Sequence, residues 1–157
     1  MSLTARRIFG EALTESSIGR AFQQHISCER GVLRVCEDLY HLDVFDRIFV
    51  VSIGKAAHTM LHALLQQTGE RGEGIVVSSV EPAAQVRGFR YFLGGHPTPN
   101  AESVRAAEST LKSLAALGSS SLAIFLISGS TEVVYQGDKY FIVPQSAILM
   151  LEREEDL

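Results

Sequence analysis

The segment Arg47-Ile48-Phe49-Val50-Val51-Ser52-Ile53 is a short, β-branched apolar run that stops abruptly at Gly54. Few features constrain a fold more, because unbroken apolarity over one strand length means burial on both faces, as in a parallel sheet covered by helices. Lys55 to Gln67 then takes on helical spacing, with Ala56, Met60, Ala63 and Leu64 on one face. Gly69 to Gly74 supplies a turn, and Gly74-Ile75-Val76-Val77-Ser78 is a second apolar run. Strand, glycine, helix and strand in that order describe a βαβ unit, whose crossover is almost always right-handed.

The pattern repeats. Phe89-Arg90-Tyr91-Phe92-Leu93 reads as a third strand, ending at Gly94-Gly95-His96-Pro97. Asn100 is placed to cap a helix running from Ala101 to about Leu117 and closed by Gly118. Leu122 to Ile127 is a fourth strand and runs into Ser128-Gly129-Ser130. The expectation is an α/β fold with an open, mostly parallel Rossmann-like sheet and helices on both faces. Its domain spans residues 1–130, and residues 131–157 form a divergent stretch of uncertain structure.

The flanks carry weaker patterns. Ala5 to His25 suits an amphipathic helix, with a new cap near Thr14-Glu15-Ser16-Ser17, and the segment from Val32 to Phe45 reads as two extended pieces joined by a turn at Glu37-Asp38. Val133 to Tyr135 and Tyr140 to Val143 flank Gln136-Gly137-Asp138-Lys139 in hairpin fashion. Ile148 to Leu151 precede an acidic tail, Glu152 to Asp156. Charged residues make up 20% of the chain and the formal net charge is -4, with no basic stripe. That balance argues against a nucleic-acid partner. No apolar run nears membrane-spanning length and the N-terminus lacks a signal-peptide core, so the expected setting is cytoplasmic, with Cys28 and Cys36 as free thiols.

Ligands of open α/β sheets bind beyond the carboxyl ends of the strands. Three such ends combine small residues with hydrogen-bonding groups: Gly54-Lys55, Gly94 to Pro99, and Ser128-Gly129-Ser130. Lys55 at a helix start opposes the helix dipole, which makes a phosphate or carboxylate ligand attractive there, while an exposed structural lysine is the other reading the spacing allows. It is not a Walker loop, since GxxxxGK[ST] is absent. His96 either orients a substrate or ties its rigid loop to backbone carbonyls. Ser128, Gly129 and Ser130 either form an anion-binding nest or simply a tight turn, and the GxSxG elbow is absent. His58 and His62 have zinc-compatible spacing, but without HExxH or a third ligand no metal is expected.

Taken in order, these segments resemble a family. Ala5-Arg6-Arg7-Ile8-Phe9 with Ala12-Leu13 is similar to the opening helix of glycerate 2-kinases that carry a so-called MOFRL domain, often labelled hydroxypyruvate reductases. Arg47 to Ala57 resembles their VVGxGKA segment, Gly95 to Asn100 their GHPxPD segment, and Leu126-Ile127-Ser128-Gly129 the start of their LISGGGSAL motif. The resemblance covers about residues 3–130. It implies ATP- and magnesium-dependent phosphorylation of D-glycerate to 2-phosphoglycerate, with Lys55 as the active-site lysine, and Gly54, His96, Ser128, Gly129 and Ser130 at the same cleft.

Two departures shape the expectation. The glycine-rich run gives way to Ser130-Thr131-Glu132-Val133-Val134, which puts a carboxylate where an anion is expected. Family members also continue into a second domain, so the chain is expected to be a truncated amino-terminal portion, inactive alone. Two other readings stand beside this one. Ile53 to Ala56 and Ser128 to Glu132 also resemble pieces of a sugar-phosphate-binding SIS domain, and a non-enzymatic remnant with an exposed sheet edge would favour a homodimer.

Overall fold

A computed structural model describes residues 18–128 in full, together with the backbone of strands at 131–135, 138–142 and 147–152. The expected helix from Ala5 is described only from Ile18, as α1 (Ile18–His25); its earlier part lies outside the described residues. An antiparallel meander follows: β1 (Ile26–Glu29), β2 (Val32–Val35) and β3 (Asp38–His41). The sequence pattern predicts two extended pieces between Val32 and Phe45; the structure adds β1 before them and ends the second at His41, where Leu42–Val44 turn as a short 3-10 helix. Ile26-Ser27-Cys28-Glu29 follows α1 with no glycine or proline to announce the change, and its pairing with β2 decides its state. Cys28 and Cys36 are both free, and burial pushes the Cys28 thiol upward against the opposing pull of the Arg71 charge.

The central sheet contains β4 (Arg47–Ile53), β5 (Glu73–Ser78), β6 (Phe89–Leu93), β7 (Ser121–Ile127) and β10 (Ala147–Glu152) in the order β10-β7-β4-β5-β6. The four strands from β4 to β7 are mutually parallel, and β10 joins β7 antiparallel, Ala147 opposite Ile127. The sheet is therefore open, mostly parallel and doubly wound, as the sequence pattern predicts. β8 (Thr131–Tyr135) and β9 (Asp138–Ile142) form a separate antiparallel pair where a hairpin is expected.

Helices α2 (Ala57–Thr68) and α3 (Ala101–Ala115) lie on opposite faces. Ala57, Met60, Leu61, Leu64, Leu65 and Thr68 are buried on α2, a stripe at helical spacing turned by about one residue from the predicted one. They meet α1, the meander and the side chains of Val50, Val76, Leu122, Ile124 and Leu126. The other face presents Phe49, Val51 and Ile75, packed against Val77, Phe92, Phe125, Leu114 near the end of α3 and Leu117 just beyond it. Alternate residues of each strand thus feed two cores of unequal size, which is the period of two that a pleated strand imposes.

Boundaries moved where local chemistry overrides periodicity. α2 begins at Ala57 rather than Lys55, because Gly54 takes φ +111 and turns the chain before the helix starts. It ends with Gly69 in the left-handed region, whose amide donates to the Leu65 carbonyl at 3.0 Å. α3 ends at Ala115, slightly short of the predicted Leu117. Among the described residues no helix is long and apolar enough to cross a membrane.

Candidate functional site

Strand order places the site. From β4 the chain proceeds outward through β5 to β6, then returns through α3 to β7 on the other side of β4. The sheet therefore switches direction between β4 and β7, and a crevice opens beyond the carboxyl ends of those two strands. Gly54 follows β4 there and Ser128 follows β7, side by side.

The two positions interlock. The Ser128 amide donates to the Ile53 carbonyl at 2.8 Å, and the Gly54 amide donates to the Val77 carbonyl at 2.9 Å, so the ladder continues past both strand ends. A methyl group on Gly54 would overlap the Ser128 carbonyl and hydroxyl. Glycine is demanded there twice, by close approach and by its positive φ. The Ser128 hydroxyl accepts the Ala56 amide at 3.0 Å, while the Ala57 amide donates to the Gly54 carbonyl at 3.1 Å. The start of α2 has no side-chain cap of its own and no acidic residue in its first turn, so its positive end faces the crevice unneutralised.

Lys55 lies in the turn between Gly54 and α2, exposed and without an ion-pair partner among the described residues. The expected position was the first turn of the helix; the observed one is just before it, which points the amides and the ammonium at a common space. Gly54, Lys55, His96 and Ser128 all line one groove of about 1090 Å³. Gly129 and Ser130, the remaining candidates, lie outside the described residues.

His96 belongs to a loop that α3 holds in place. The Ser103 hydroxyl accepts the amides of Gly95 at 3.1 Å and Asn100 at 3.2 Å, and the Asn100 side chain accepts the Ser103 amide at 2.9 Å. This is a reciprocal capping box, with serine in the place more often held by glutamate. Asn100 also donates to the Leu93 carbonyl at 3.1 Å, anchoring the loop to β6. The His96-Pro97 peptide is cis.

Several lining residues escaped the sequence reading. Ser78 and Ser79 form the wall at the end of β5, and Ser103, Ala107, Thr110 and Leu111 supply the α3 side. Ser78 was findable, since every parallel strand ends at the same edge. The α3 residues were not, because their facing depends on which side of the sheet the helix crosses. Among the described lining residues Lys55 is the one lysine or arginine, and no carboxylate is present. The groove therefore favours an anion with one full charge, several amides and hydroxyls, and an apolar side toward Phe125 and Leu114. Such a donor set lacks carboxylates for a magnesium ion. No cluster of three His, Cys, Asp or Glu that could hold a metal occurs among the described residues. His58 points instead at the β5–β6 loop.

Comparison with known proteins gives the chain a family and a shared fold. Residues 4–136 match the family described as Domain of unknown function (DUF4147), and the chain belongs to that family. It is similar to a D-glycerate 2-kinase of Thermotoga maritima, at 26% identity over 93 residues, covering 58% of this chain and 22% of that protein. Its fold is shared with the PH0495 protein of Pyrococcus horikoshii OT3, at TM-score 0.69 and 21% identity, over 82% of this chain and 30% of that one. The chain thus spans less than a third of the length of either relative.

Proposed function

We propose that this chain is the amino-terminal portion of a glycerate 2-kinase of the MOFRL-domain type, a cytoplasmic phosphotransferase that moves a phosphoryl group from ATP to D-glycerate, giving 2-phosphoglycerate. The observation that carries the reading is the convergence of Gly54, Lys55, His96 and Ser128 on one groove at the switch point of the sheet. The similarity to a D-glycerate 2-kinase supports it.

Phosphoryl transfer needs positioned cations and amides more than covalent help from the protein. In this reading Lys55 and the start of α2 bind an anion, either the glycerate carboxylate or a transferring phosphate. The Ser128 hydroxyl holds the turn in shape by accepting the Ala56 amide. His96 lines the same groove, where it orients a substrate hydroxyl or steadies developing charge. Magnesium would arrive with the nucleotide, since no carboxylate stands among the described lining residues of the groove.

The reading limits what this chain does alone. One lysine among the described lining residues falls short of the charge on a nucleoside triphosphate, so the chain is expected to bind substrate without turning it over. ATP-dependent consumption of D-glycerate by the purified chain is expected to stay at the background level; robust turnover would remove the claim that further groups are required. Lys55→Ala is expected to weaken 2-phosphoglycerate binding about tenfold or more, since a charge-assisted contact is lost, with melting unchanged. Equal binding by wild type and variant in a calorimetric titration would discard Lys55 as the anion ligand.

A further inference from the structure

Adjacent parallel strands ordinarily need a crossover of a dozen or more residues, usually a helix. β5 and β6 are joined by residues 79–88 with no helix among them. This short crossover has no helical ladder to stiffen it, yet its first residue, Ser79, forms a wall of the groove together with Ser78. A side chain from another element replaces the missing ladder. His58, in the first turn of α2, donates from Nε2 to the Val80 carbonyl at 2.8 Å. Its ring stacks on Tyr91, centroids 5.8 Å apart and planes within 17°. The Tyr91 hydroxyl in turn accepts the Val86 amide at 2.8 Å, so both halves of the crossover are pinned by one stacked pair.

The connection continues into the groove. The Val80 amide donates to the Ser78 hydroxyl at 3.1 Å, and the Ser78 carbonyl accepts the Gly94 amide at 2.9 Å. Ser78 is buried. A short chain of hydrogen bonds therefore runs from the helix that follows Lys55, through Val80 and Ser78, to the loop that carries His96. The zinc-like spacing with His62 has no part in this; His62 is exposed and His58 is engaged elsewhere.

We propose that His58 is a positioning residue of the groove: acting through Val80, it fixes the Ser78-Ser79 wall of the groove that Lys55 also lines and so sets the shape offered to an anionic ligand. The ligand rests on the function proposed above, whereas the positioning rests on the geometry alone. The bond requires hydrogen on Nε2, a condition that both the Nε2–H tautomer and the imidazolium meet.

Two variants separate the donor from the ring. H58F keeps a flat ring on Tyr91 and loses the donor; H58Q keeps a donor of similar reach and loses the ring. Amide exchange at Ser79, Val80 and Gly94 by NMR, affinity for 2-phosphoglycerate and melting temperature are measured for each. In H58F the Ser79 and Val80 amides are expected to exchange about tenfold faster and the probe to bind several-fold more weakly, at an unchanged melting temperature. H58Q is expected to restore both readouts. If H58F does not fold, H58N, whose amide is too short to reach Val80, takes its place. Unchanged exchange in H58F, or equal losses in both variants together with lower melting, overturns the proposal. Should the wild type bind no 2-phosphoglycerate while H58F still frees the Val80 amide, the kinase reading fails and the positioning role stands.

Discussion

The two faces of the central sheet are built from the same strands and differ in what covers them. On one face α1, α2 and the meander enclose Val50, Val76, Leu122, Ile124 and Leu126, and Met60, Leu61 and Leu64 are completely or nearly buried. On the other, α3 leans over Phe49, Val51 and Ile75, and the groove runs between helix and sheet toward Phe125. Leu111 of α3 lines that groove and is 68% exposed. The first face supplies stability and holds the Gly54 turn from behind. The second leaves apolar and polar surface open at the switch point, where a ligand can reach Lys55. Cohesion and access are divided between the faces of one sheet.

The largest effect is expected on the enclosed face. Leu64→Ala removes a buried side chain from the α2 stripe and should cost about 2–5 kcal/mol in urea unfolding. Gly54→Ala comes next, at the joint between the faces: the methyl overlaps Ser128 and the φ of +111 is strained for alanine. A loss of about 1–3 kcal/mol is expected, with shifted Ser128 and Ala56 amide resonances. An alanine variant with native melting and native Ser128 signals would mean that the close approach at the crevice is not held in solution. The smallest effect belongs to the open face. Leu111→Gln should change stability by less than about 0.5 kcal/mol, since glutamine keeps the helix propensity and the site is already wet. A cost rivalling that of Leu64→Ala would show that something covers the groove in solution, and the contrast between the faces would collapse.

The burial of the sheet on both faces was the most legible feature of the sequence. The apolar runs at Val50-Val51, Ile75-Val76 and Ile124 can be buried only between layers, so the parallel sheet and its helices follow from them. Lys55, His96 and Ser128 were findable for a related reason: strand ends of a parallel sheet share one edge, and each of these lies at such an end. What stayed hidden depends on contacts between distant segments. β1 takes its state from β2, and β10 joins the sheet only because β7 offers an edge. Ser103 looks like an ordinary helical serine until the Gly95 amide is brought to it by the return of the loop. His58 invites a metal reading by spacing, and only the course of residues 79–88 reveals its partner.

The double use of the Ser103 hydroxyl has a mechanical result. One oxygen gathers the amides on either side of the His96 loop, Gly95 and Asn100, and thereby closes that loop into a small ring seated on the first turn of α3. Neither end of that ring can lift away without giving up one of those bonds, so the backbone that carries His96 shares the stiffness of the helix turn beneath it.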